Sequence, residues 1–213
     1  MSNVLYIHGM GGGGDSRIPG LLSRFFADSP VRVIVRTYSF DPDLGASQIA
    51  SWVRELRPAL VIGESLGAIQ ALRVGGVPHL FVSPSLGAPA LLVKLVPVSR
   101  FALGRWYLHR RFPVKAGDRQ PLLFRPSVLR KYGPHWEKAQ AQARKDLEAG
   151  LPFYAFFGTM DHYKRSGVVQ VGMWEELFGK DTYQEYEGTH FMEEEYVRDL
   201  LVPKIREMLG LQK

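Results

Sequence analysis

Short apolar runs alternate with longer amphipathic stretches along most of the chain. Six runs rich in β-branched and aromatic residues are predicted to form strands, over Val4–Gly9, Val31–Phe40, Ala59–Ser65, His79–Pro84, Phe153–Asp161 and Thr182–Gly188. Because their apolar residues are nearly continuous, they are typical of strands that are buried on both faces.

The stretches between these runs have the apolar spacing and the stop signals of helices. Helices are predicted over about 16–27, 46–56, 66–74, 167–178 and 193–209, the last bent near Pro203. This alternation predicts an α/β fold, with a doubly wound, mostly parallel six-stranded sheet covered by helices on both faces. Ligands of such sheets bind at the carboxyl ends of the strands, so candidate chemistry is sought there.

Residues 85–150 interrupt the alternation after the fourth strand. They contain their own aromatic residues and prolines, and their clearest helix is predicted over 134–149, from Pro134 to the stop at Gly150. We interpret the chain as one domain over 1–213 in which 85–150 is a helical, lid-like insertion. The alternative is an additional helical layer that touches no ligand.

Composition narrows the class of protein. The chain has 213 residues, of which 46% are hydrophobic and 23% charged, as in ordinary globular domains. There is no cysteine, which excludes disulfides, thiolate metal sites and a cysteine nucleophile. No apolar run is long enough to span a membrane, and the N-terminus does not resemble a signal peptide. A cytoplasmic location is therefore expected.

Charge is distributed unevenly. Residues 84–150 contain 13 Lys or Arg but 4 Asp or Glu, whereas the rest of the chain is slightly acidic. Such a surface can attract anionic substrates, acidic lipid head groups or nucleic acid, although a solubilising surface is the simplest interpretation. Phe101, Trp106 and Tyr107 form no recognisable nucleic-acid-binding motif and are interpreted as the core of a lid, so no nucleic-acid partner is expected. The oligomeric state stays open.

The clearest chemical signal is Gly63-Glu64-Ser65-Leu66-Gly67, directly after Ala59–Ile62 and at the end of the third predicted strand. A G-x-S-x-G between a strand and a helix forms a strained turn that exposes the serine hydroxyl above the sheet edge. A serine hydroxyl needs a base and a group that orients this base. Asp161 and His190 follow the fifth and sixth strands, in the order serine, acid, histidine, so each of the three lies at a carboxyl end.

A glycine loop, His8-Gly9-Met10-Gly11-Gly12-Gly13-Gly14, follows the first predicted strand. Acyl transfer needs backbone N–H donors aimed at the developing oxyanion. We expect one from Leu66, directly after the serine, and one from this loop, with Met10 preferred and Gly11 second. His8, Gly9 and Gly11 would support the loop.

The same glycines also match G-x-G-x-x-G, the dinucleotide-binding pattern. The acidic residue expected at the end of the second strand is missing, since Arg36-Thr37-Tyr38-Ser39 stands there. Arg36 could instead face a 2′-phosphate. An NADP-type reductase that uses the Gly9–Gly14 loop therefore stays as an alternative.

The glycine loop, the Gly63–Gly67 elbow, Asp161 and His190 together resemble the α/β-hydrolase superfamily, and in particular its small serine esterases and lipase-like members. The resemblance implies Ser65 as nucleophile, His190 as general base and then acid, Asp161 as its orienting acid, and Met10 and Leu66 as oxyanion hole. It implies no metal and no organic cofactor. The chain departs from the family in lacking the first two strands, and the insertion matches no known lid pattern.

The predicted function is hydrolysis of a small-molecule carboxylic ester through an acyl-enzyme on Ser65. The aromatic residues of the insertion suggest an apolar acyl or aryl group, and its arginines, Arg100, Arg105, Arg110 and Arg111, permit an anionic one. Thioesters and peptides are the other substrate classes. A ligand-binding protein without catalysis on the same scaffold is the alternative from another functional class.

Overall fold

Six strands form a single sheet in the order β2-β1-β3-β4-β5-β6, and every neighbouring pair is parallel. The computed structural model describes residues 1–211. The strands are β1 (Ser2–Ile7), β2 (Val31–Val35), β3 (Leu60–Glu64), β4 (His79–Val82), β5 (Phe153–Gly158) and β6 (Tyr183–Tyr186). The predicted α/β fold is confirmed, with a sheet that is fully rather than mostly parallel.

The helices connect these strands. They are α1 (Arg17–Phe25), α2 (Pro42–Leu56), α3 (Gly67–Ala71), α4 (Ala88–Lys94), α5 (Val96–Ser99), α6 (Ala102–Arg111), α7 (Pro126–Leu129), α8 (Tyr132–Glu148), α9 (Val171–Phe178), α10 (Glu194–Tyr196) and α11 (Val202–Met208). A π-helical turn, Val197–Leu201, joins α10 to α11 and ends just before Pro203, where a bend is predicted. No helix within residues 1–211 is long and apolar enough to cross a bilayer.

Alternate side chains of the central strands enter two separate cores. On β1, Leu5 and Ile7 pack into the core beneath α2, α3, α8 and α9, whereas Val4 and Tyr6 pack into the core beneath α1 and α11. All four are at most 1% exposed. Helices therefore cover both faces of the sheet, as the continuous apolar runs predict.

The second strand is shorter than predicted, because β2 ends at Val35 rather than at Phe40. Tyr38 and Phe40 nevertheless remain buried, at 5% and 1% exposure. The Tyr38 hydroxyl donates a hydrogen bond to the backbone oxygen of His8, 2.7 Å away. The apolar run thus continues because these residues enter the core, and periodicity alone cannot distinguish that from strand pairing.

The segment between β4 and β5 contains α4 to α8. The helix predicted over 134–149 is α8, and its Ala139 and Ala143 are buried in the core beneath the sheet. This helix therefore completes the helical layer over that face. The interpretation of the insertion as lid-like stays a prediction.

Candidate active site

The turn after β3 has the geometry of a strained elbow. Ser65 has φ of 51°, in the left-handed region that residues other than glycine seldom occupy. A Cβ on Gly67 would lie 2.3 Å from the backbone oxygen of His8, so only glycine fits where α3 begins. This close approach brings the end of β1 against the elbow.

The structure brings Ser65, His190 and Asp161 together at the carboxyl edge of the sheet. His190 Nε2 lies 2.9 Å from Ser65 Oγ, and His190 Nδ1 lies 2.6 Å from Asp161 Oδ2. Asp161 and His190 are 4% and 3% exposed. The other oxygen of the Asp161 carboxyl, Oδ1, accepts a hydrogen bond of 2.8 Å from the backbone N–H of Tyr163. Both oxygens of this carboxyl are therefore fixed.

This geometry also sets the tautomer of His190. An ionised Asp161 carboxylate can only accept hydrogen bonds, so Nδ1 of His190 must carry the proton in the Nδ1–Oδ2 contact. In the neutral ring, Nε2 is then unprotonated and can accept the hydroxyl proton of Ser65. The ring is held in place by Tyr163, whose own ring meets it edge-on at 4.6 Å between centroids.

The glycine loop lies directly beside the elbow. A Cβ on Gly9 would be 3.0 Å from Ser65 Cβ, so the backbone of the loop passes next to the serine. His8 is fully buried and stacks on Tyr38 at 4.4 Å between ring centroids. Burial lowers the pKa of His8 to about 4, so the ring is neutral at pH 7. His8 Nδ1 also lies 2.8 Å from the backbone oxygen of Gly9, so the ring contacts the loop itself, and its supporting role stays a prediction.

Residues 117–120, which we call the clasp, cover the glycine loop from the insertion. Buried Gln120 donates its backbone N–H to the oxygen of Gly12 at 2.7 Å, and its side-chain Oε1 accepts the N–H of Gly11 at 3.2 Å. A Cβ on Gly13 would lie 1.7 Å from the backbone oxygen of Asp118, which explains why the loop needs glycine there. The clasp thus fixes the backbone of the loop.

The hydrogen bonds of the clasp distinguish between the two predicted loop donors. The N–H of Gly11 bonds Gln120, whereas the N–H groups of Met10 and Leu66 meet no protein acceptor within residues 1–211. Among the described residues, Met10 and Leu66 are therefore the two predicted donors whose N–H groups have no partner, and their role as oxyanion hole stays a prediction.

Several groups at the site were not predicted from the sequence. Ser85, from the turn after β4, places its Oγ 3.1 Å from Ser65 Oγ. Glu64 accepts a hydrogen bond of 2.8 Å from the Tyr6 hydroxyl, and burial raises the pKa of its carboxyl. Ser85 was detectable in principle, since it follows a strand at the same sheet edge. Gln120 is remote from every motif and carries no such signal.

The four arginines predicted to contact an anionic substrate make their contacts with other groups. Arg105 donates to the backbone oxygens of Ser99 and Arg100, and the guanidinium of Arg110 lies 5.7 Å from the centroid of the Trp106 ring. Arg100 and Arg111 are exposed. No hydrogen bond or ion pair within residues 1–211 joins any of the four to the Ser65 site.

The dinucleotide alternative finds no free phosphate cradle in the glycine loop. The N–H groups of Gly13 and Gly14 already donate to Ser16 and Thr37. The carboxyl of Asp118 accepts a hydrogen bond from Thr37 at 2.6 Å beside them, and its negative charge would repel a pyrophosphate.

No cluster of three or more His, Asp or Glu side chains among the described residues is arranged to hold a metal ion.

Residues 4–207 match the model of the "Alpha/beta hydrolase family". The chain belongs to this family. The comparison with curated proteins found no match.

Solved structures of similar fold include esterases and lipolytic enzymes. Est1E from Butyrivibrio proteoclasticus, solved with ferulic acid bound, is 12% identical with a TM-score of 0.65, over 99% of this chain and 90% of that one. Alpha/beta hydrolase domain-containing protein 10 from mouse is 13% identical with a TM-score of 0.61, over 98% and 89%. A structure of the metagenome-derived lipolytic enzymes LipS and LipT is 13% identical with a TM-score of 0.60, over 98% and 93%.

Proposed function

We propose that the protein is a serine hydrolase that cleaves a small-molecule carboxylic ester through an acyl-enzyme on Ser65. The observation that carries the proposal is the continuous chain of hydrogen-bonding atoms, with Ser65 Oγ 2.9 Å from His190 Nε2 and His190 Nδ1 2.6 Å from Asp161. A non-catalytic ligand site has no need of a base that is both oriented and in contact with a serine in a strained elbow.

In the first half of the reaction, Ser65 Oγ attacks the ester carbonyl carbon while His190 Nε2 takes the hydroxyl proton. The negative charge that develops on the carbonyl oxygen is stabilised by the N–H groups of Met10 and Leu66. The bond from carbon to the alcohol oxygen then breaks, and the protonated His190 gives its proton to the leaving alkoxide. An acyl-enzyme and a free alcohol result.

In the second half, water attacks the acyl carbon and His190 accepts a proton from that water. Collapse of the second tetrahedral intermediate breaks the bond to Ser65 Oγ, which regains its proton from His190, and the carboxylic acid leaves. Asp161 stays ionised throughout and stabilises the imidazolium that forms in each half. Each step needs only residues of this chain, the ester and water.

An ester is the favoured substrate class because esterases and lipolytic enzymes share this fold. Thioesters and peptides stay as further substrates for the same chemistry.

A panel of p-nitrophenyl esters of increasing acyl length tests the proposal. We expect a burst of p-nitrophenol equal to the enzyme concentration, followed by turnover, and loss of both in Ser65→Ala. Ser47→Ala, at an exposed position of α2, is the matched control and should behave as wild type. Equal release by wild type and Ser65→Ala would contradict the proposal and favour the binding protein.

A further inference from the structure

An exposed apolar surface lies on α5 and α6, outside the site described above. Its members are Val98, Phe101, Leu103, Trp106 and Tyr107, with exposures of 43%, 69%, 74%, 58% and 56%. We call these five residues the apolar patch. Single exposed apolar side chains are common on protein surfaces, but a contiguous group of this kind marks an interaction surface.

The exposure of the patch does not result from poor packing of α6. The opposite face of α6 is anchored, because Leu108 is 3% exposed in the core and His109 meets the buried ring of Phe124 edge-on at 5.2 Å. The fold therefore holds α6 in place and presents Leu103, Trp106 and Tyr107 to the outside. Two of these three are the aromatic types that favour the boundary between water and lipid.

The charge around the patch has a single sign. Residues 65–117 contain seven Lys or Arg and no Asp or Glu. The guanidinium of Arg110 lies over Trp106 at 5.7 Å, and Arg100 and Arg111 are also exposed. Within residues 1–211 no carboxylate forms an ion pair with Arg100, Arg110 or Arg111. Their charges are therefore available to an external anion.

The segment after α6 leads from the patch to the glycine loop. The chain that leaves α6 reaches Val114, whose Cγ2 would lie 3.9 Å from a Cβ on Gly11. Phe112, between them, packs against Phe124 at 5.7 Å between ring centroids. The segment that follows the patch along the chain is therefore packed against the loop and the core.

We propose that the apolar patch docks the protein onto the surface of an anionic lipid bilayer. The aliphatic and aromatic tips insert among the acyl chains near the head groups, and Arg100, Arg110 and Arg111 contact the lipid phosphates. A bilayer matches both features of the surface, since it offers an apolar layer directly beneath a negatively charged one.

Two other occupants fit less well. A second copy of the chain packed symmetrically on the patch would bring two sets of unpaired arginines together, with no carboxylate between Glu64 and Asp118 to neutralise them. Single-stranded nucleic acid would stack on Trp106 and Tyr107, but Val98 and Leu103 offer no stacking surface. Docking does not depend on the proposed hydrolase activity, so the two proposals fail separately.

Vesicle flotation in a Ser65→Ala background tests the docking without any lipid turnover. We expect the protein to float with vesicles of phosphatidylcholine and phosphatidylglycerol, and far less with phosphatidylcholine alone. Salt should release it, because screening weakens the attraction of the arginines. The fluorescence of Trp106 should shift to the blue on binding, and Trp106→Phe should lose most of this shift while it still floats.

Paired variants separate the two contributions. Arg110→Gln with Arg111→Gln should weaken the partition roughly 25-fold, since each basic residue near an anionic surface contributes about fivefold. Phe101→Ser with Leu103→Ser should weaken it at least about tenfold. Leu44→Ser, also exposed but on α2, and Arg32→Gln with Arg54→Gln are the matched controls and should float as the parent does.

Three results would overturn the proposal. The first is equal flotation with neutral and anionic vesicles or none with either. The second is a dimer by light scattering that becomes monomeric in Phe101→Ser with Leu103→Ser, which would assign the patch to a second copy. The third is tight binding to a single-stranded oligonucleotide that Arg110→Gln with Arg111→Gln removes, without flotation.

Discussion

The Ser65 edge of the sheet, which the insertion contacts, and the apolar patch, which is part of the insertion, differ in how their side chains are buried. At the Ser65 edge, His190 and Asp161 are nearly fully buried and are bonded to other groups of the chain. In the patch, Leu103 is 74% exposed and contributes to no core. The side chains of the first region are buried and bonded within the chain, whereas those of the second are exposed to the surroundings of the protein.

The same difference exists between two parts of the insertion. Gln120 and α8 are tied to the glycine loop and to the sheet, whereas α5 and α6 are anchored on one face only. Residues from one inserted segment therefore serve two purposes, to hold the site and to present a surface. Changes at the Ser65 edge should alter catalysis or stability, while changes in the patch should alter neither.

The largest effect is expected at Asp161. In Asp161→Asn the amide would donate to His190 Nδ1, which forces the ring into the tautomer whose Nε2 carries the proton and cannot accept from Ser65. We expect kcat for ester hydrolysis to fall by on the order of 10³–10⁴ with the fold intact. Asp199→Asn, in an exposed ion pair with Arg198, is the control. Retention of more than about a tenth of wild-type kcat would argue against the assigned role of Asp161.

The buried histidines should make stability depend on pH. Burial lowers the pKa of His79 to about 4, below its ordinary value of 6.5. The unfolded chain therefore binds a proton that the folded chain excludes, so stability is full above about pH 6.5 and falls as the pH decreases toward 4. For one such histidine the loss between pH 7 and pH 5 is about 2 kcal/mol.

Urea unfolding of wild type and His79→Phe at pH 7 and pH 5 measures this contribution. Phe preserves the stack on Phe153, 4.7 Å away, and removes the titrating group. The variant should lose less stability than wild type on acidification, by about 2 kcal/mol. His109→Phe, at an exposed position, should lose as much as wild type. Parallel pH profiles for wild type and His79→Phe would refute the prediction.

A smaller effect is expected at Gln120, which acts through the glycine loop. Gln120→Met keeps the volume but removes the hydrogen bond to Gly11 and the one of 3.1 Å from Nε2 to the oxygen of Tyr38. The Met10 N–H would then be held less firmly, and we expect kcat to fall about tenfold with little change in KM. Gln184→Met, at an exposed position of β6, is the control. A rise in KM at unchanged kcat would assign Gln120 to substrate binding instead.

The smallest effect is expected in the patch. Leu103 and Leu108 lie on the same helix, yet they are 74% and 3% exposed. Leu103→Ala should change the free energy of unfolding by no more than about 0.5 kcal/mol, whereas Leu108→Ala should lower it by about 2–5 kcal/mol. Similar losses from both variants in urea unfolding would mean that α6 does not present the face described here.

The sequence predicted the parts of the site that follow directly from strand ends. Ser65, Asp161 and His190 each come just after a buried strand, and parallel strands bring such positions to one edge. Gln120 was not predictable in this way, because its partner Gly11 is 109 residues away and only the packed insertion brings them together. The end of β2 was misplaced for a related reason, since burial of Tyr38 and Phe40 imitates a strand pattern.

The exposure of the patch, like the position of Gln120, could not be predicted from the sequence. Phe101, Trp106 and Tyr107 were interpreted as the core of a lid, because aromatic residues in a helical stretch are most often buried. The structure corrects that interpretation, as all three are more than half exposed. The buried face of α6 is determined by contact with Phe124. Phe124 lies outside the helix, so the sequence pattern of α6 alone does not indicate this contact.

The central claim is that Ser65 is a nucleophile activated by His190. Intact mass after treatment with a fluorophosphonate tests it most directly, because this reagent bonds only to an activated serine and needs no knowledge of the substrate. We expect a single adduct on wild type, none on Ser65→Ala and much slower labelling of His190→Ala. A folded wild type that remains unlabelled, or an adduct that persists in Ser65→Ala, would contradict it.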